Sequence, residues 1–215
     1  MNLPKILQRC VRSISLGVMA VTMIFVSLGA VNAQTAEESE IIIADCLRMI
    51  KADVVAFDQP FFYNRLGAVN PAGMVYALRG DVRPKSGSTL APGNVRLKDY
   101  KRARPIVLRM NVGDCIQIKF QNFLDPNRAD KNQPNTRTAS IHIEGMQLRN
   151  SILDDGSNVG INPSSLVAPG GSITYTLYAQ KEGNHLLYST AATTSGQGNG
   201  GTLPFGLFGS LNVQP

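Results

Sequence analysis

The sequence contains few of the side chains that most often carry catalysis or metal binding. Only two of its 215 residues are histidines and only three are cysteines. No His-Glu-x-x-His pair, Gly-x-Ser-x-Gly elbow or phosphate-binding Gly-x-x-x-x-Gly-Lys loop occurs in the chain. These absences argue against a zinc hydrolase of the His-Glu-x-x-His type, a serine hydrolase with a nucleophile elbow and a P-loop nucleotide-binding protein.

Long apolar runs are also missing, apart from one at the N-terminus. Lys5, Arg9 and Arg12 precede an uncharged apolar run over residues 14–30, and small residues follow up to Ala33. This arrangement predicts a signal peptide over residues 1–33 and a secreted or periplasmic protein. A retained anchor is the alternative. A spanning helix needs about 17 to 25 residues, and the run over 14–30 is near the lower end of that range. After cleavage we expect no membrane association.

The basic charge of the chain is partly a property of this N-terminal segment. The formal net charge of +6 falls to +3 after cleavage, because three basic and no acidic residues are removed. A nucleic-acid partner is therefore not expected. The basic run over residues 98–104 precedes a strand-like segment, and we interpret it as a solvated loop in preference to a binding patch.

Two cysteines remain once the signal peptide is removed. Cys10 lies within that peptide, which leaves Cys46 and Cys115 in an exported chain. An oxidising compartment favours a disulfide between them. Two free thiols are the alternative, because a bridge requires the two Cα atoms to lie within about 7 Å.

The pattern after residue 33 is that of β-strands. Apolar and polar residues alternate over 106–121, and the segments 139–148, 172–179, 185–190 and 207–213 show the same pattern. Turns rich in Gly, Pro and Asn separate them. The sequence therefore predicts an all-β, antiparallel Greek-key sandwich. We expect one domain over residues 34–215, with long loops near 81–104 and 124–138.

Three segments of the chain together resemble a known family. They are Ser140-Ile-His-Ile-Glu-Gly-Met-Gln147, Gly183-Asn-His-Leu-Leu-Tyr-Ser-Thr190 and Gly206-Leu-Phe-Gly-Ser-Leu-Asn-Val213. In this order they resemble the N-terminal cupredoxin (plastocyanin-like) domain of bacterial multicopper oxidases. The resemblance implies a cupredoxin-like sandwich and copper as the cofactor.

The same resemblance implies that most copper ligands are replaced. In the family, this domain supplies four histidines through two His-x-His motifs. His142 stands at the first position and Glu144 at the second, while Tyr188 and Thr190 stand where the other two histidines would be. His185 aligns with no ligand position. A blue-copper site is not expected either, because it needs a cysteine and two histidines.

His142 and Glu144 remain as the candidate metal ligands. They lie two residues apart, and on a strand both side chains would project from one face. Carboxylate, phenol and hydroxyl oxygens suit harder ions than the copper of a redox centre. The competing interpretation is that His142 is a structural histidine held by hydrogen bonds within the sandwich.

From these observations we expect an exported cupredoxin domain of the multicopper oxidase family that is not catalytic on its own. Further cupredoxin domains on another chain are the expected partners. Two alternatives are a metal-free structural or interaction sandwich and a weak module for storage or delivery of a single copper ion.

Overall fold

The computed structural model describes residues 45–128, 136–192 and 201–215, so the predicted signal peptide and Cys10 lie outside the described residues. The described part of the chain is almost entirely β. No helix in it is long and apolar enough to cross a membrane. The strands are β1 (Met49–Asp58), β2 (Phe61–Phe62), β3 (Val69–Asn70), β4 (Met74–Leu78), β5 (Val82–Arg83), β6 (Arg96–Leu97), β7 (Ile106–Asn111), β8 (Cys115–Asn122), β9 (His142–Ile143), β10 (Gln147–Leu148), β11 (Ser172–Tyr178), β12 (Gly183–Tyr188) and β13 (Phe208–Gln214).

Two sheets form the sandwich, which confirms the predicted fold class. The first sheet has the strand order β10-β11-β8-β1-β4 and the second has the order β7-β13-β12-β9. Most neighbouring strands are antiparallel. Each sheet also contains one parallel pair, β1 with β8 in the first and β13 with β7 in the second. The pairs β2–β3 and β5–β6 lie outside these two sheets.

The core lies between the two sheets and is built by the alternation seen in the sequence. Ile106, Leu108 and Met110 of β7 are buried, whereas Val107 and Arg109 between them are exposed. At the centre three aromatic rings pack together. The Phe120 ring lies 6.1 Å from Tyr76 in an edge-on contact and 6.3 Å from Tyr175 in a stacked one. The two tyrosine hydroxyls donate hydrogen bonds to the backbone carbonyls of Ser140 and Ser165.

The predicted long loop near 81–104 contains structure of its own. It carries the β5–β6 pair, and its buried Val82 and Val95 pack with Val55 and Phe57 of β1. Strand β1 is therefore covered on both faces, which explains its run of five consecutive buried residues. The loop is a lid over the first sheet and only partly a solvated surface segment.

The prediction of a single strand over 139–148 was wrong. The segment forms β9 in the second sheet and β10 in the first, separated by a turn at Glu144–Gly145. Gly145 has φ +74°, a conformation that other residues rarely adopt. The apolar positions shift from 139, 141 and 143 to 146 and 148 across Gly145, so the alternation changes phase where the chain changes sheets.

A disulfide joins the start of the described chain to the first sheet. Cys46 and Cys115 are bonded, and their Cα atoms lie 5.3 Å apart. Beside them, the Arg48 guanidinium donates two hydrogen bonds to the Asp114 carboxylate, at 3.0 and 2.6 Å. These contacts fix β1 parallel to β8, with Met49 opposite Cys115.

Removing this disulfide should lower the free energy of unfolding substantially. It closes a loop with a sequence separation of 69 residues, for which loss of loop-closure entropy corresponds to about 4 kcal/mol. We expect urea unfolding of a Cys46→Ser, Cys115→Ala double variant to show a loss approaching that size, and reduction of the wild type to show a similar one. A loss below about 1 kcal/mol would contradict a stabilising role for the bridge.

The protein should also become less stable at alkaline pH. Burial raises the pKa of both Tyr76 and Tyr175, whereas in the unfolded chain tyrosine ionises near a pKa of about 10. The native state therefore holds these protons more tightly, and its stability decreases as the pH rises above about 10. Urea midpoints measured between pH 8 and 11 should fall less steeply in Tyr175→Phe. The exposed Tyr100→Phe serves as the control and should behave as the wild type.

Candidate metal site at the edge of the second sheet

The candidate site is centred on His142, on the outer face of the second sheet. His142 of β9 lies opposite Tyr188 of β12 in the strand register. Their neighbours Ile143 and Leu187 are buried in the core, so the side chains of His142 and Tyr188 project from the other face. The two rings meet edge to face, with centroids 5.4 Å apart and an interplanar angle of 73°.

A backbone carbonyl fixes which nitrogen of His142 carries the proton. Nδ1 lies 2.7 Å from the carbonyl oxygen of Asp155, and 3.4 Å from a carboxylate oxygen of the same residue. Because a carbonyl can only accept, Nδ1 is the donor, and in the neutral imidazole the lone pair is then on Nε2. Asp155 ends the 3-10 turn Ile152–Asp155, and the following Gly156 has φ +71° and packs too close to Ile141 for any side chain. The carbonyl is thus held firmly against the imidazole.

Glu144 lies in the turn after β9, so the expectation that it shares a strand with His142 was wrong. Its carboxylate nevertheless lies close enough to Tyr188 to act on the titration of its hydroxyl. The pKa of Tyr188 is raised, mainly by burial of the phenol and further by its hydrogen bond to Glu144 and the negative charges of Glu144 and Asp155. The phenol is therefore neutral at pH 7, with the Glu144 carboxylate near its O–H.

Thr190 is used by the fold. Its hydroxyl donates a 2.6 Å hydrogen bond to the carbonyl of Gly156, and its backbone N–H donates to the hydroxyl of Ser140. These bonds join the end of β12 to the turn that carries Asp155. Thr190 thus helps to hold the partner of His142 in place, a structural role at a position where the resemblance would have a histidine.

His185 faces the other side of the sheet from His142. It lies three residues before Tyr188 on β12. Because side chains on a strand alternate between the two faces, its side chain points toward the sandwich interior. Its Nδ1 is 2.8 Å from the carbonyl oxygen of Glu144, and its Nε2 is buried with no hydrogen-bond partner among the described residues. The two imidazoles cannot bind the same ion in this arrangement.

The remaining potential ligands are dispersed. Among the residues that the structure describes, no group of three or more His, Cys, Asp or Glu side chains could hold a metal ion. The thiols of Cys46 and Cys115 are consumed in the disulfide. Sequence reasoning missed Asp155, whose contact with His142 crosses 13 residues. The adjacent Gly156 indicated a turn but not the residue that the turn would meet.

One family model matches this chain. The model of the multicopper oxidase family matches residues 105–214, which is more than half of the chain. No curated protein gives a significant match.

Several solved structures match this chain at low identity. A multicopper oxidase from Pseudomonas thermotolerans is 22% identical over 77% of this chain and 29% of its own, with a TM-score of 0.47. The laccase from Botrytis aclada is 17% identical over 80% of this chain and 23% of its own, with a TM-score of 0.49. A copper nitrite reductase from Nitrosomonas europaea is 17% identical over 78% and 42%, with a TM-score of 0.43. The chain spans less than half the length of each.

The residues present do not fit a multinuclear copper centre. Copper that cycles between oxidation states in such a centre relies on several imidazole nitrogens. The outer face of the second sheet offers one, from His142, surrounded by the oxygen-bearing side chains of Glu144, Tyr188 and Asp155. The site therefore differs from a multinuclear copper centre in its donor atoms, whereas the fold of the domain is the one expected.

The contact between Glu144 and Tyr188 can be tested through the titration of the phenol. In Glu144→Gln the hydrogen-bond acceptor remains but its charge is lost, so the pKa of Tyr188 should decrease while burial keeps it above the ordinary value. NMR of ring-labelled tyrosines, assigned with Tyr188→Phe, would measure this. Glu182→Gln, which removes an exposed charge on the turn before β12, is the control. An unchanged Tyr188 titration in Glu144→Gln would contradict the contact.

Proposed function

Because the chain belongs to the multicopper oxidase family, we propose that it is an exported cupredoxin domain that does not carry out copper redox chemistry on its own. The observation that carries this proposal is the placement of the histidines. The sequence has only two, and they project from opposite faces of the second sheet.

The argument rests on what each kind of copper centre requires. A trinuclear centre needs several imidazoles from one face of this domain, and His142 is the sole candidate there. A blue-copper site needs a thiolate and two histidines. Cys46 and Cys115 are bonded to each other, so neither supplies that thiolate while the bridge is intact. Catalysis by the family's route would therefore require ligands from another domain.

Export is part of the proposal. It is supported by the basic, apolar and small-residue segments that follow one another in residues 1–33. It is also supported by the disulfide, because disulfides persist in oxidising compartments such as the periplasm and the extracellular space. The proposed location is accordingly secreted or periplasmic.

Further cupredoxin domains on another chain are the proposed partners. The outer face of the second sheet supports this, because Val107 and Leu186 stand in one row across it and are 51% and 40% exposed. They lie on either side of Ser210, and exposed apolar side chains close together on one sheet face can form part of a protein contact. His142 lies at the edge of the same face, where a second domain could add ligands beside it.

A single-ion site is the second candidate function, favoured by the state of His142. Its Nδ1–H donates to a carbonyl, as the second ring nitrogen of a metal-ligating histidine commonly does. Nε2 is left as the coordinating atom, with Glu144 and Tyr188 nearby. Such a site would be open and weak, suited to storage or delivery of one copper ion.

Copper loading of the purified protein tests both candidates. After removal of free metal we expect at most one retained Cu(II) per chain, because His142 is the one imidazole available on this face. We expect no intense blue absorption, because Cys46 and Cys115 are bonded to each other and supply no thiolate. Metal analysis together with EPR and absorption spectra would measure this. Two or more tightly held copper ions, or a blue-copper spectrum, would contradict the proposal.

Matched histidine variants separate the two candidates. If one ion is retained, His142→Ala should abolish its binding, whereas His185→Ala should leave it, because His185 faces the interior. If no ion is retained, the single-ion candidate is wrong and the metal-free domain stands. Equal loss in both variants would contradict the assignment of the site to His142.

A further inference from the structure

An apolar cleft lies away from the ligands discussed so far, between the β2–β3 hairpin and the chain leading into β7 and β13. Its volume is about 320 Å³, within the range of pockets that hold small molecules. Phe61, Tyr63, Pro105 and Phe208 are among the residues that line it. The candidate metal site uses none of these residues.

The back wall of the cleft is fixed by two glycines that pack against Phe61. A Cβ atom at Gly206 would lie 2.7 Å from the Phe61 ring, and one at Gly73 would also overlap that ring. Gly206 has φ +106°, which other residues rarely adopt. The Phe61 ring therefore rests directly on backbone, and this wall is formed before any ligand arrives.

A positive charge stands at the cleft. Arg104 lines it and is exposed, and within the described ranges it makes no ion pair. The nearby carboxylates are engaged by other cations, Asp81 by Lys101 at 2.9 Å and Asp99 by Arg83 and Arg96. Among the residues that the structure describes, those lining the cleft include no acidic one. The cleft thus combines aromatic side chains with a guanidinium that has no ion pair within the described ranges.

We propose that this cleft binds a small planar aromatic anion, such as an aryl carboxylate. The ring would pack against Phe61, Tyr63 and Phe208, since aromatic pairs favour stacked and edge-to-face contacts. The carboxylate would pair with the planar guanidinium of Arg104, which matches it with two parallel hydrogen bonds. The cleft should accordingly discriminate by charge among ligands of the same shape.

Titration with 2-naphthoate tests the proposal directly. The protein has no tryptophan, so naphthoate fluorescence can be followed with little interference from the protein. We expect saturable binding of naphthoate by the wild type. Arg104→Gln should weaken this binding about tenfold or more, because the substitution removes a charge-assisted hydrogen bond to the carboxylate. Tyr63→Ala should also weaken it clearly, because the substitution removes an aromatic wall of the cleft. The uncharged 2-naphthalenemethanol should bind more weakly than naphthoate by a similar factor.

Two matched variants serve as controls. Arg102 is exposed and two residues from Arg104 but does not line the cleft, and Tyr100 is as exposed as Tyr63 yet also lies outside it. Arg102→Gln and Tyr100→Ala should bind naphthoate as the wild type does. Absence of saturable binding, equal affinity for the neutral analogue, or equal weakening in the controls would each overturn the proposal.

Discussion

Neighbouring side chains on a β-strand project from opposite faces of the sheet, and on β12 this alternation determines both the core and the candidate site. Leu187 is fully buried between the sheets, which places Tyr188 on the outer face beside His142. The same alternation turns His185 inward. A register shift of one residue would expose Leu187 and reverse both placements, so the burial of one leucine stabilises the arrangement of the polar residues around it.

The surroundings of His142 follow from the backbone as much as from side chains. The turn at Gly145 carries the chain from the second sheet to the first, and the carbonyl of Glu144 in that turn accepts from His185. The turn at Gly156 presents the Asp155 carbonyl to His142. Each histidine therefore has one ring nitrogen bonded to a backbone carbonyl, and the two differ in what surrounds the other nitrogen. That of His185 is buried, whereas the His142 side chain is 24% exposed.

Much of the fold could be predicted because alternation is a local property. Strands β7, β8, β11, β12 and β13 were all expected close to their observed positions, and most of their buried residues are the apolar members of the pattern, Asn122 and Thr176 being polar exceptions. The sequence pattern is less clear for β1, because its second half, residues 54–58, is buried on both faces and does not alternate. The break between β9 and β10 depends on one glycine conformation, and the order of strands within each sheet depends on contacts far apart in sequence.

The site was less predictable than the fold for a related reason. The resemblance to the family drew attention to His142, Glu144, Tyr188 and Thr190, and the structure brings the first three together. The role of Thr190 as a clamp on Gly156 and the contact of Asp155 with His142 depend on tertiary packing. The apolar cleft likewise combines segments near residues 61, 104 and 206, which no local pattern relates.

Chemical modification of the two histidines tests the central claim most directly. Diethyl pyrocarbonate reacts with accessible imidazole nitrogens, and mass spectrometry of the native protein can follow each site separately. We expect His142 to be modified readily through Nε2 and His185 to be protected until the protein unfolds. Modification of both at comparable rates in the folded state would mean that both imidazoles reach the same solvent, and the separation of the histidines by the sheet would be wrong.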